Sequence, residues 1–315
     1  MSQPIERTAL TQLAQSGPLL VSEQHLGRFL ADASRRETAT PKIPRVNGAV
    51  AVIPVEGMIL YFDSWMGVNT NRLGNVIEAA IDNPRIKGVV LDVDSPGGTS
   101  YGTQELSDRI FAARNAKKPI VAISNPLMAS AAMWIGSAAS QVYATPSGDV
   151  GSLGTYQIHV DYSEMMKQAG IKVTFIHAGK NKVEWSPYHK LQQETIEHAQ
   201  QEVDEVNDAF MSAVARNRGV KKSVVTGETW GQGRTLIASK AAQVGMIDGV
   251  ISLNNLLIKM GADAPGTRDR HADADLSAYL QTIWDEEATV ELVECQDQHQ
   301  ADADRARAAL WRLSQ

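Results

Sequence analysis

Short apolar, β-branched runs alternate with segments of helical period through the middle of this chain, and that alternation limits the fold more than any other feature. The first run, Ala49-Val50-Ala51-Val52-Ile53-Pro54-Val55, leads into Glu56-Gly57 and reads as a buried strand entering a turn. A helix from about Arg72 to Ile81 ends before Pro84. The strand Gly88 to Asp94 follows and stops at Ser95-Pro96-Gly97-Gly98. Next come a helix near Thr103 to Asn115, a strand Ile120 to Ile123, a helix near Ser130 to Ala139 and a short strand Val142 to Ala144. Beyond the glycine-rich Gly148 to Gly154, the pattern gives a strand near Thr155 to Val160, a helix Tyr162 to Ala169 and the strand Val173 to Ile176. A long amphipathic helix, Gln192 to Asn217, is capped by Gly219, and a helix Ala238 to Val244 with a closing strand completes the core. The reading is an α/β domain with crossover helices.

Two flanks differ from this core. Residues 1–45 read as a lead: Leu19, Leu20, Leu26, Phe29 and Leu30 can share one helical face, and a polar stretch from Arg35 to Arg45 holds Pro41 and Pro44. Residues 46–260 form the expected core domain. From Gly261 to the end, acids outnumber bases in a stretch expected to be helical or disordered and to lie outside the core. The chain has 315 residues, 43% of them hydrophobic and 21% charged, which is a globular composition long enough for a sizeable core. A net charge of −6 disfavours nucleic acid and anionic membranes as partners. The single cysteine, Cys295, excludes an internal disulfide or a cysteine zinc site and fits a reducing compartment. No run approaches the ~18–20 apolar residues that a membrane helix needs, and Met1 to Ser22 has no secretory pattern. A cytoplasmic location without a membrane span is expected.

Three segments carry chemistry. Asp94-Ser95-Pro96-Gly97-Gly98 ends a strand, where paired glycines let backbone N–H groups face a ligand as an oxyanion hole; the plain alternative is a turn. In Met128-Ala129-Ser130-Ala131-Ala132-Met133-Trp134, Ser130 stands at a strand-to-helix junction. Its hydroxyl lies at the positive end of the helix dipole, and the N–H of Ala131 is free to bind an oxyanion. The plain alternative is that Ser130 only caps the helix. The third segment is Gly179-Lys180-Asn181-Lys182-Val183-Glu184-Trp185-Ser186-Pro187. A serine hydroxyl needs a base, and a lysine serves once desolvation lowers its pKa by roughly 3 units, or ~4 kcal/mol.

Together with Gly148-Asp149-Val150-Gly151-Ser152-Leu153-Gly154, these blocks resemble the signal peptide peptidase A type of serine/lysine peptidases, in the broader crotonase-like group that includes Clp protease. The resemblance spans roughly Val46 to Ile251. It implies a crotonase-like α/β fold, a repeated β-β-α spiral with a long C-terminal helix. It assigns Ser130 as nucleophile, Lys182 as general base, Ser152 as the group orienting the lysine amine, and the N–H groups of Gly98 and Ala131 as the oxyanion hole. Metal and cofactor are not expected. Ala131-Ala132 departs from the Gly-Gly that many relatives have after the nucleophile. Lys180 competes with Lys182 for the role of base, and the family spacing to Ser130 and to Ser186-Pro187 favours Lys182.

Without a membrane helix, the chain resembles the phage head-maturation, or prohead, proteases. That implies a homo-oligomer, capsid scaffold or portal protein as substrate, and a host cytoplasm or procapsid setting. The tail from Gly261 would then be a docking segment, with a solvated helix as the plain alternative. Other readings are a degradative peptidase of the signal-peptide-peptidase kind, and a non-proteolytic crotonase-like protein that binds acyl-CoA or acts in assembly. The last would leave Ser130, Ser152 and Lys182 without a shared task. A Ser/His/Asp triad through His159 or His177 is disfavoured by their strand positions, and the loose cluster His271-Ala272-Asp273-Ala274-Asp275 reads as solvated charge.

Overall fold

The computed structural model describes residues 17–22, 25–26, 44–64, 66–114, 118–262 and 274–285. Phe29, Leu30, Pro41, His271 and Cys295, on which parts of the sequence reading rest, lie outside the described residues.

Ten strands form one mixed sheet. They are β1 (Leu19–Val21), β2 (Arg45–Asn47), β3 (Val50–Leu60), β4 (Gly67–Asn69), β5 (Gly88–Thr99), β6 (Ile120–Ala129), β7 (Gln141–Ala144), β8 (Asp149–Gly151), β9 (Thr235–Ile237) and β10 (Gly249–Val250). The helices are α1 (Thr70–Asp82), α2 (Thr103–Ala113), α3 (Ala131–Ser137), α4 (Ser163–Gln168), α5 (Gln193–Arg218), α6 (Lys222–Val225), α7 (Ala238–Gln243), α8 (Leu253–Lys259) and α9 (274–285). The main path runs β10-β7-β6-β5-β3-β2, with β3, β5, β6, β7 and β10 parallel. Parallel neighbours require crossovers, and α1 and α2 supply them between β3, β5 and β6. The fold is α/β and crotonase-like.

Each long strand changes partners part-way along, and this positions the site. The β3–β5 register shifts between Glu56 and Met58, and the β5–β6 register between Val93 and Ser95. Before its shift β6 pairs with β7; after it, Leu127–Ala129 pair with β8. The strand after Gly88 therefore does not stop at Ser95, as the sequence suggests, but continues to Thr99. The glycines serve close strand approach, since a Cβ on Gly98 would lie 1.8 Å from the Ile59 carbonyl oxygen.

The main core lies between the sheet and the helices, where Leu73, Ile77, Ile110, Trp134, Phe210 and Val214 are buried. Trp134 of α3 stacks on Phe210 of α5 with ring centres 4.8 Å apart, which ties the short helix to the long one. Asn69 caps α1 by accepting from the N–H groups of Asn71 (2.8 Å) and Arg72 (3.3 Å).

Four expectations need correction. Leu19–Val21 form a strand rather than a helical face, because Pro18 offers no N–H and both faces of the segment are buried. Thr155 to Val160 pair only at the isolated Leu19–Tyr156 bridge. Among the described residues, Val173 to Ile176 find no partner strand and stay exposed, with Ile176 99% accessible. His159 and His177 accordingly lie outside strands. Finally, residues 274–285 are not apart from the core: Leu276 and Leu280 are buried in it, and the Val46 N–H donates to Ser277 Oγ (2.9 Å).

Candidate active site

Ser130 stands between β6 and α3 with φ 55° and ψ −118°, a conformation that a residue with a Cβ adopts only under constraint. Pairing on both sides supplies the constraint. Ala129 is in register with Gly151 of β8, the Ser130 N–H donates to the Gly151 carbonyl (2.8 Å), and the Ser130 carbonyl accepts from Trp134 N–H (2.9 Å) to open the helix. The side chain is fully buried, and its hydroxyl has no hydrogen-bond partner among the described residues. It makes no capping bond, so the plain reading of Ser130 as a helix cap fails. A buried hydroxyl in this state costs ~1–3 kcal/mol, so the site holds it at the expense of stability.

Gly97 and Gly98 lie beside it. A Cβ on Gly97, whose φ is +106°, would be 2.9 Å from the Ser130 Cβ and 2.0 Å from the Leu20 carbonyl oxygen. Ala131, the first residue of α3, has an N–H with no acceptor inside the helix. Ser152 follows β8 with φ 54°, is 6% exposed, and donates its N–H to the Arg234 carbonyl (2.9 Å). It lines a cavity of about 500 Å³ together with Val21, Gly154, Tyr156, Gln200 and Met211. Ser130, Ala131, Gly98 and Ser152 thus gather where β5, β6 and β8 meet.

Lys182 does not join them within one chain. It is exposed in the turns that follow Val173 to Ile176, and among the described residues its amine bonds neither Ser130 nor Ser152. Its loop is anchored to the segment around His159 and Tyr162. His159 Nε2 lies 3.2 Å from the Ser186 carbonyl, Trp185 meets His159 edge-on, and the Tyr162 N–H donates to the Pro187 carbonyl (2.7 Å). The competing lysine is occupied: Lys180 Nζ donates to both oxygens of Glu194 (2.8 and 2.9 Å). That hydrogen bond and the carboxylate's charge hold the Lys180 amine above the ordinary lysine range, the wrong direction for a base. Among the described residues, His159 and His177 turn to the backbone carbonyls of Ser186 and Gly179, neither to a serine hydroxyl.

The sequence reading missed β1. Leu20 is in antiparallel register with Gly98, and Val21 with Gly97. No strand-length pattern announced a three-residue element behind Gly17-Pro18. Its signal was the uninterrupted apolar Leu19-Leu20-Val21 itself.

Residues 112–265 match the sequence profile of Peptidase family S49, a span holding Ser130, Ser152 and Lys182. They are a peptidase family S49 domain. The chain is 29% identical to "Head-tail preconnector protein GP5" of Enterobacteria phage P21 over 70% of its length and 44% of that protein's. It is 27% identical to "Capsid assembly protease C" of Escherichia phage lambda (67% and 49%) and 25% identical to "Protease 4" of Haemophilus influenzae (68% and 34%). The chain therefore spans about half, or less, of the length of these curated relatives. Among the described residues, no helix is long and apolar enough to cross a membrane.

Proposed function

We propose that this S49 domain is a serine endopeptidase working through an acyl-enzyme, with Ser130 as nucleophile and Lys182 as general base. The observation that carries the reading is Ser130 itself: a strained, fully buried serine whose hydroxyl is unbonded, beside the glycine strand and the first free amide of α3. Neutral Lys182 accepts the hydroxyl proton as Oγ bonds the scissile carbonyl carbon. The oxyanion that forms is held by the N–H groups of Gly98 and Ala131, and the lysine returns the proton to the leaving nitrogen as the C–N bond breaks. Water, deprotonated by the same amine, then releases the acyl group.

A base at working pH needs a lysine out of water, and Lys182 is solvated in the single chain. The adjoining segment exposes Ile171, Phe175 and Ile176, and among the described residues Val173 to Ile176 pair with no strand, leaving a surface that a second copy would cover. The active form is accordingly a homo-oligomer, in which covering this edge dries Lys182 and closes the dyad with Ser152. The phage relatives' names support a role in capsid maturation, with scaffold or portal protein as substrate.

Hydrolysis of a denatured protein substrate tests the assignment. Ser130→Ala and Lys182→Ala should each abolish turnover with unchanged circular dichroism, and Lys180→Ala should retain it. Turnover by Lys182→Ala at the parent rate refutes the base.

A further inference from the structure

The oxyanion donor assigned above is already in use. The Ser22 N–H donates to the Pro96 carbonyl (2.7 Å) and the Ser100 N–H to the Pro18 carbonyl (3.3 Å). Hydrogen-bonded pairs in an antiparallel ladder recur at every second residue. Leu20 and Gly98, in register midway between those two pairs, therefore exchange both backbone bonds, and the Gly98 N–H donates to the carbonyl of Leu20. That carbonyl also crowds the Gly97 Cα from the side on which the Ser130 Cβ approaches. On its other edge β1 is held by a second strand-like partner: Leu19 N–H donates to the Tyr156 carbonyl (2.7 Å) and Tyr156 N–H to the Leu19 carbonyl (3.1 Å).

The side chains alternate as in a peptide added to a sheet. Leu20 is buried in the main core, while Leu19 and Val21 fill a separate pocket with Leu26, Met58, Leu60 and Met66. Backbone bonds on both edges, alternating apolar pockets and a carbonyl on the oxyanion donor are what an extended substrate would require of this groove.

We infer that Leu19–Val21 occupies the peptide-binding groove as a tethered, substrate-like strand, with the Leu20–Val21 bond at the position of the scissile bond, and that it must leave before another chain can bind. The inference rests on the proposed peptidase reading and deepens it. The groove takes an extended peptide with an aliphatic residue where Leu20 sits, and the chain supplies its own competitor.

The rate at which a fluorophosphonate probe labels Ser130 in the full chain tests this. Leu20→Asp puts a charge into an apolar pocket and ejects the strand, so labelling should accelerate at least tenfold. A second variant guards against misfolding. With Cys295→Ser as background, Leu19→Cys and Tyr156→Cys face each other across a hydrogen-bonded pair, a spacing (~5.5 Å between Cα atoms) that a disulfide tolerates. The oxidised chain should label at least tenfold more slowly than the same chain after reduction. Cleavage of the wild type after Leu20, absent in Ser130→Ala, would also support a seated strand. Equal labelling of oxidised and reduced chains, or failure of the cysteine pair to oxidise, overturns the inference while leaving the peptidase reading intact. No labelling at Ser130 in any form overturns both.

Discussion

Replacing Ser130 by alanine should make the resting protein more stable while destroying its activity. The substitution removes one oxygen and keeps the Cβ, so packing against Gly97 is retained. The hydroxyl removed is fully buried and unbonded, and a buried polar group in that condition costs about 1–3 kcal/mol. At roughly 2–4 °C of melting temperature per kcal/mol for a large domain, a rise of about 2–12 °C is expected. Ser137, at the other end of the same short helix, provides the matched control. It is also fully buried, but its hydroxyl donates to the Trp134 carbonyl (2.7 Å) and accepts from Asn217 Nδ2 (3.0 Å). Ser137→Ala removes both bonds, leaving each partner only its longer bond to Ser107 Oγ (3.4 and 3.3 Å), and at about 0.5–1.5 kcal/mol per bond should lower stability by about 1–3 kcal/mol. The same chemical change, within one helix, is thus expected to have opposite signs. Differential scanning calorimetry at fixed protein concentration reads both. If Ser130→Ala melts at or below the parent temperature, the resting hydroxyl has a partner, and the account of an unbonded, strained nucleophile is wrong.

Three further outcomes follow from the same contacts. Phe210→Ala removes the ring stacked on Trp134 in a fully buried site and should cost about 3–5 kcal/mol in urea unfolding; a loss under 1 kcal/mol would mean that α3 is not held by α5. Asp248 accepts from both arms of the Arg218 fork (2.9 and 3.0 Å) and from the Val142 N–H (2.7 Å). Burial pushes its pKa up, but these bonds and the arginine's charge outweigh it, so the carboxyl titrates below the ordinary range. Its stabilisation is therefore present above pH ~4 and fades as pH falls through the depressed value. With the pair partly exposed and screened by solvent, Asp248→Asn should cost about 0.5–1 kcal/mol at pH 7, a difference that closes in acid; a gap that stays constant down to pH 2 would contradict the sign. Ile176→Asp, on the exposed apolar edge, should reduce both sedimentation coefficient and turnover, and full activity in a variant that sediments as a monomer would remove the need for a covering copy.

Strand and helix order was legible because burial imposes a period on the chain: Val50 to Val55 and Gly88 to Asp94 have no polar face, whereas Gln193–Arg218 shows one. Ser130 stood out through the order of the four blocks that resemble a peptidase family, since a serine at a strand-to-helix junction is by itself as readily a helix cap. The continuation of β5 through Pro96, Gly97 and Gly98 was hidden, because proline and glycine signal turns unless a neighbouring strand approaches within the width of a side chain, as Ile59 does here. The isolation of Val173 to Ile176 was hidden too. A β-branched run looks the same whether its partner strand exists in the same chain or not.

By itself the sequence determined the layered α/β architecture, the place of Ser130 at a strand-to-helix junction and the order of the site's blocks, since each is written in local residue chemistry and hydrophobic period. The tertiary structure alone decided which amide is free and which is taken. Gly98 donates to Leu20, Lys180 is bound to Glu194 and Lys182 stays in solvent, because register between distant segments, set by burial on both faces of a strand, assigns every backbone bond at once.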